Sequence, residues 1–347
     1  MATLSHLTVP PSKARALVVR CLLAGLVPYV RSSPGIGKSD IMKSIADEYR
    51  LKLIDLRLSQ CDVTDLHGLP RFTNDGRAEY SPFSSFPLEG DELPLHPDGQ
   101  PYEGWLLFLD EISSAGKQMQ AAAYKLLLDR MVGQSNLHKK VLLACAGNLE
   151  TDRAVVHGTS TAMQSRLVHI EMRCDHREWM QWASKQGIDS RIIGFLEFKP
   201  DYLHKFEPDH QDKTFACPRT WEFAHRLVKG ESITNSDIPL LAGTVSAGVA
   251  QEFVQFAQIY ADLPKMSDIL KDPKSAPVPQ EPSTKFAMST VVADHFTDKT
   301  ADDLAIYIQR YPVEHRVVML RMVHQRQPQL MRHKAVSGMF QELLKHM

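Results

Sequence analysis

The sequence is short of cysteine, and its cysteines form no pattern. Cys21, Cys61, Cys145, Cys174 and Cys217 are scattered, odd in number and nowhere spaced Cys-x-x-Cys. They read as reduced packing residues of a cytosolic protein rather than as a disulfide framework. The fifteen histidines include no His-Glu-x-x-His and no Cys/His ligand spacing, so no zinc site is written into the chain. A surplus of either charge is also missing. Lys and Arg number 40 against 41 Asp and Glu, a formal net charge of −1, which gives no global reason to expect nucleic acid as partner. The apolar stretch near the N-terminus is interrupted by Arg20 and runs into a glycine loop, too short to span a bilayer and a poor signal peptide. The expected location is the cytoplasm, with no membrane partner. No internal repeat is present. What remains, 347 residues at 43% hydrophobic and 23% charged, is an ordinary globular chain able to bury a large core in two to three domains.

Hydrophobic periodicity then sets out the elements. Pro11 and Ser12 open an amphipathic helix through Leu17, Val18, Cys21 and Leu22, with Gly25 placed to end it. Pro28-Tyr29-Val30 reads as a strand, followed by a glycine loop and a helix over Asp40 to Tyr49. Further strands are expected at Leu51 to Leu58, Trp105 to Leu109, Val141 to Ala146 and Val168 to Met172, with a helix over Met119 to Leu128. Strands alternating with helices imply an α/β fold with a parallel, helix-flanked sheet. Between Leu69 and Gly104 lies an excursion rich in Pro, Gly and acidic residues, with Asn74-Asp75-Gly76 as the turn of a hairpin. After Cys174 only helical patterns remain, at His176 to Lys185, Arg191 to Glu197, Thr220 to Val228 and Val245 to Tyr260. The prolines of 263–285 predict an extended linker before the last helices. The expected domains are a core over 1–174 with its insert at about 69–104, an all-α lid over 175–262, the linker, and a C-terminal helical region over 286–347.

Two motifs carry chemistry. Ser32 to Ser39 fits the phosphate-loop pattern G-x-x-x-x-G-K-[ST] except that Ser32 replaces the first Gly. In the loop Ser33-Pro34-Gly35-Ile36-Gly37 the two glycines let the backbone turn its amides toward a β-phosphate, Lys38 can reach the β- and γ-phosphates, and the Ser39 hydroxyl can ligate Mg²⁺. Asp110 and Glu111 end the apolar strand Trp105 to Leu109, where ligands of open parallel sheets sit. Asp110 would hold the metal, and Glu111 would act as general base on water. At the end of the next strand, the Asn148 amide could orient the same water. ATP and Mg²⁺ are the expected ligands.

Phosphoryl transfer calls for additional positive charge, and Arg153, Arg166 and Arg219 are the candidates. Arg166, just before the strand Val168 to Met172, suits a finger offered to a neighbouring subunit. Arg219, following Pro218 at a helix start, suits a contact made in cis. Whether Arg153 or Arg166 is the main trans residue stays open. The stretch from Val313 is locally basic and reads as a solvated helix face or a docking surface for nucleic acid or an acidic partner.

With these residues in view, the chain resembles the MoxR-like branch of the AAA+ ATPases over nearly its full length. Ser33 to Ser39 looks like the Walker A motif of that family, Leu107 to Ile112 its Walker B, and Ala146-Gly147-Asn148 its sensor-1 segment, continued through Asn148 to Ala154. Ser165-Arg166-Leu167 looks like the arginine finger, where the family often carries Asn-Arg-Phe, and Pro218 to Glu222 like the sensor-2 helix. The excursion from Leu69 to Gly104 resembles the helix-2 insert, which in such rings tends to face the central pore. The resemblance implies an AAA+ core with a helical lid, and an Mg²⁺-dependent ATPase working as a ring, hexameric in many members. It further implies a protein client and, often, a partner with a von Willebrand factor A domain. A nucleic-acid motor or loader built on the same core is the alternative, and a nucleotide-dependent scaffold without turnover a third.

Overall fold

The computed structural model describes residues 7–149, 161–209 and 212–344. They pack as two compact units, one of the described residues up to 175 with 207–209 and one of the described residues from 176 on, apart from 207–209.

In the first unit, α1 (Pro11–Leu23) buries Ala14, Val18 and Leu22, one residue per turn on a single face. It closes with Gly25 N–H on the Leu22 carbonyl (3.1 Å) and Leu26 N–H on the Cys21 carbonyl (2.9 Å), a Schellman ending. There follow β1 (Pro28–Arg31), α2 (Lys38–Glu48), β2 (Leu51–Arg57) and α3 (Val63–His67). The excursion opens with the hairpin β3 (Leu69–Phe72) and β4 (Ala78–Ser81), turning at residues 74–76 as the sequence indicates. Then come β5 (Gly104–Asp110), α4 (Lys117–Tyr124), a short hairpin of β6 (Met131–Val132) and β7 (Ser135–Asn136), β8 (Val141–Gly147), α5 (Thr161–Gln164) and β9 (Val168–Glu171).

Five of these strands form one parallel sheet in the order β2-β5-β8-β1-β9. The fold is thus α/β, a helix-flanked parallel sheet. All seven residues of β5 are buried because the sheet is covered on both faces. Trp105, Leu107 and Leu109 join one apolar cluster with Leu143 and Cys145, while Leu106 and Phe108 join the other with Val30, Ile41 and Ile45. The β1 strand lies between β8 and β9, so the loop that leaves it emerges from the interior of the sheet.

The second unit is helical: α6 (His176–Gln186), α7 (Ser190–Phe198), α8 (Pro218–Val228), α9 (Ile238–Val245), α10 (Ala247–Ile259), α11 (Met266–Lys271), α12 (Pro282–His295), α13 (Ala301–Ile308), α14 (Val313–Arg326) and α15 (Lys334–Leu344). Phe195 of α7 packs its ring against Trp221, Phe253 and Phe256, with centroids 5.5 to 5.7 Å apart.

Three expectations need correction. The helix read over Val245 to Tyr260 begins two residues later, as α10, because Ser246 at a φ of 82° cannot continue a helix and separates it from α9, which no expected helix covers. The pattern over Met119 to Leu128 is α-helical only to Tyr124 and widens into a π-helical turn, Lys125–Asp129. The segment 263–285 is not an extended linker throughout. It contains α11, with Ile269 fully buried, and Pro282 is the first residue of α12, because apolar burial outweighs the punctuating prolines. Among the described residues no helix is long and apolar enough to cross a membrane.

Candidate active site

The phosphate-loop pattern occupies the connection from β1 to α2. Gly37 caps α2 at a φ of 96°, a conformation that strains any residue with a side chain, and this lets the helix begin at Lys38, two residues before the expected Asp40. The first-turn amides of α2 have no partner within the helix, so this end favours an anion. Ser32, at the position where the pattern has Gly, is completely buried and donates its N–H to the Gly147 carbonyl (3.3 Å). Its hydroxyl donates to the Ser33 carbonyl (3.0 Å) and accepts from Lys38 Nζ (3.2 Å). The departure from Gly thus adds a ligand for the lysine. Lys38 Nζ also donates to the Ser32 carbonyl (3.1 Å) and to Asn148 Oδ1 (3.0 Å).

One residue on, the Ser39 hydroxyl donates to Asp110 Oδ2 (2.8 Å). Asp110 is 6% exposed, and its other oxygen accepts the Glu111 N–H (2.8 Å). Glu111 has a φ of 58°, left-handed and uncommon for a residue with a side chain. Its carboxylate accepts the hydroxyl of Ser59, from the turn after β2. Arg57 stands opposite Asp110 in the strand register. Two residues earlier on β2, the Asp55 carboxyl is pushed up by burial and then by Asp110 and Glu111, against the opposing pull of Arg57. At the end of β8 the Asn148 N–H is held by Ser113 Oγ (2.9 Å).

Lys38, Ser39, Asp110, Glu111 and Asn148 therefore meet at the carboxyl ends of β1, β5 and β8. Arg166 is exposed, its N–H on the Met163 carbonyl (3.1 Å), and no hydrogen bond or ion pair among the described residues joins it to the phosphate loop. Arg219 is exposed in the first turn of α8, in the helical unit. Arg153 lies outside the described residues. Sequence reading missed Asp55 and Ser59, which join the site only because β2 lies beside β5, and Ser113, which follows Glu111 by two residues but meets Asn148 only because β5 lies beside β8.

The donor set suits a hard divalent cation. A hydroxyl and a carboxylate already 2.8 Å apart would both offer oxygen to Mg²⁺. Lys38, bonded to carbonyl, hydroxyl and amide oxygens, is placed to exchange them for phosphate oxygens.

No protein-family model and no curated protein matches the chain. Among solved structures it is similar to NtrX from Brucella abortus in complex with ADP, at a TM-score of 0.41 and 13% identity over 96% of this chain and 66% of that one. It is also similar to the replication initiator DnaA bound to AMPPCP and single-stranded DNA, at a TM-score of 0.37 and 12% identity over 96% of this chain and 93% of that one. The chemistry assigned to the site rests on its own residues.

Proposed function

We propose that the chain is an Mg²⁺-dependent ATPase of the AAA+ class, MoxR-like, that assembles into a head-to-tail ring and remodels a protein partner. The observation that carries the ATPase reading is the hydrogen-bonded set Lys38–Asn148 and Ser39–Asp110–Glu111 at the carboxyl ends of three parallel strands. Lys38 neutralises the β- and γ-phosphates, while the α2 amides and the loop from Ser33 to Gly37 cradle them. Ser39 and Asp110 would hold Mg²⁺, which when bound with the nucleotide supplies charge neutralisation for the transferred phosphoryl group. Glu111 takes the proton of the attacking water, and the Asn148 amide orients that water. Arg166 completes the site of an adjacent subunit, and Arg219 contacts the nucleotide in cis. A hexamer and a partner bearing a von Willebrand factor A domain belong to this proposal through the family resemblance alone.

The structure lends little to the nucleic-acid alternative. In the basic C-terminal stretch Arg321 pairs with Glu197 and Arg326 with Asp294, and Arg316 donates to the Tyr311 carbonyl (2.7 Å). Arg310, just before it, donates to the Pro273 carbonyl (3.0 Å). Arg321 and Arg326 thus tie α14 to α7 and α12, which leaves fewer of these charges to meet phosphates. The test is Mg²⁺-dependent release of phosphate from ATP, with nucleotide affinity measured separately. Lys38→Ala should lose affinity and turnover together. Glu111→Gln should keep affinity while turnover falls by about 10² or more. An unchanged affinity in the first variant, or rapid turnover in the second, would remove the assigned roles.

A further inference from the structure

Asn148 is held at two points. Its side-chain oxygen accepts from Lys38, and its main-chain N–H donates to Ser113 Oγ at 2.9 Å. Ser113 is 3% exposed and sits in the 3₁₀ turn Ile112–Ser114, which begins where Glu111 leaves the left-handed conformation. The approach of β8 to this turn is very close. A Cβ on Gly147 would lie 2.7 Å from Ser113 Oγ and 2.6 Å from the Tyr29 hydroxyl, so only glycine lets the strand end come near enough for the bond to form. The Gly147 carbonyl in turn accepts from Ser32, at the start of the phosphate loop. A continuous polar path thus runs from the turn after Glu111, through Ser113, to Asn148 and Lys38.

We infer that Ser113 is a positioning residue for hydrolysis, fixing Asn148 so that its amide and the Glu111 carboxylate address the same water. The inference rests on the ATPase reading above. Ser113 touches neither nucleotide nor water and acts through Asn148. Loss of its hydroxyl leaves the Asn148 N–H without its acceptor and the strand end unfixed, with the phosphate contacts of Lys38 intact. The effect should fall on kcat and not on nucleotide affinity.

The experiment compares full-length wild type, Ser113→Ala, Ser113→Cys, Asn148→Ala and the double variant Ser113→Ala/Asn148→Ala. Steady-state Mg²⁺-ATP turnover is measured, with affinity taken from titration of a nonhydrolysable ATP analogue. Ser113→Ala should lower kcat about tenfold at near-wild-type affinity and melting temperature. Ser113→Cys places a larger sulfur and a weak acceptor against the strand end, so it should lose at least as much. In the double variant the alanine at 113 should cost nothing beyond Asn148→Ala. Wild-type kcat in both position-113 variants, or losses that multiply in the double variant, would overturn the inference with the ATPase reading intact. A wild type that hydrolyses no ATP would overturn both.

Discussion

Glu111 combines an uncommon backbone conformation with a hydrogen bond from outside its own strand. The Ser59 hydroxyl holds one oxygen of its carboxylate in place, and a hydrogen bond to a charged group contributes about 1.5–3 kcal/mol. Ser59→Ala removes that restraint. Basal turnover should rise several-fold with nucleotide affinity unchanged, as measured by phosphate release; a fall in turnover would mean that the hydroxyl orients the base instead of restraining it. At this scale the sequence is legible only where chemistry is local. Lys38 and Ser39 are neighbours in the chain, and Asp110 and Glu111 end one apolar strand, so spacing reveals them. Ser59 and Asp55 reach the same carboxylates because β2 lies beside β5, a pairing no local pattern carries.

Among the elements, α7 and α8 are joined through one ring nitrogen. Asp189, which caps α7 and pairs with Arg191, donates its N–H to His225 Nδ1 of α8 (3.0 Å), so this nitrogen must be unprotonated. His225 is 8% exposed, and burial followed by Lys229 and Arg226 holds its pKa below the ordinary value of 6.5, against the opposite pull of Asp189 and Glu222. The unfolded chain therefore binds this proton more readily than the folded one. The contribution of the neutral imidazole is complete above about pH 6.5 and is lost as pH falls through that value toward the lower folded pKa. Urea denaturation between pH 8 and pH 5 should show the helical unit losing stability over that window, and His225→Gln should flatten the dependence. An equal slope in wild type and variant would remove His225 as the cause. Periodicity located α6, α7, α8 and α10 in this unit, but not α9 or α11. Ser246 separates α9 from α10 although it is neither Gly nor Pro, and α11 forms among prolines because Ile269 finds a buried place, both consequences of packing rather than of propensity.

For the whole molecule, the decisive residue is Arg166. It is exposed and unconnected to its own phosphate loop among the described residues, as an arginine serving a neighbour would be. Arg166→Ala should bind ATP and hydrolyse it slowly, and so should Glu111→Gln. Mixed one to one, the two variants would create competent interfaces at roughly a quarter of positions if subunits associate at random, and part of the activity should return. Subunits shown to exchange, at varied ratios, without any recovery would count against a trans role.

The sheet order also has a consequence for synthesis. The strand that carries the phosphate loop, β1, pairs only with β8 and β9, whereas β2 and β5 can pair earlier. While the chain is being made, the loop has left the ribosome long before the strands that fix it, and its Ser32 and Lys38 have neither Gly147 nor Asn148 to meet. A ligand of the loop can then hold the finished sheet together by mass action but cannot guide its early assembly. The nascent protein must rely on apolar burial and on the pairing of β2 with β5 until its last core strand arrives.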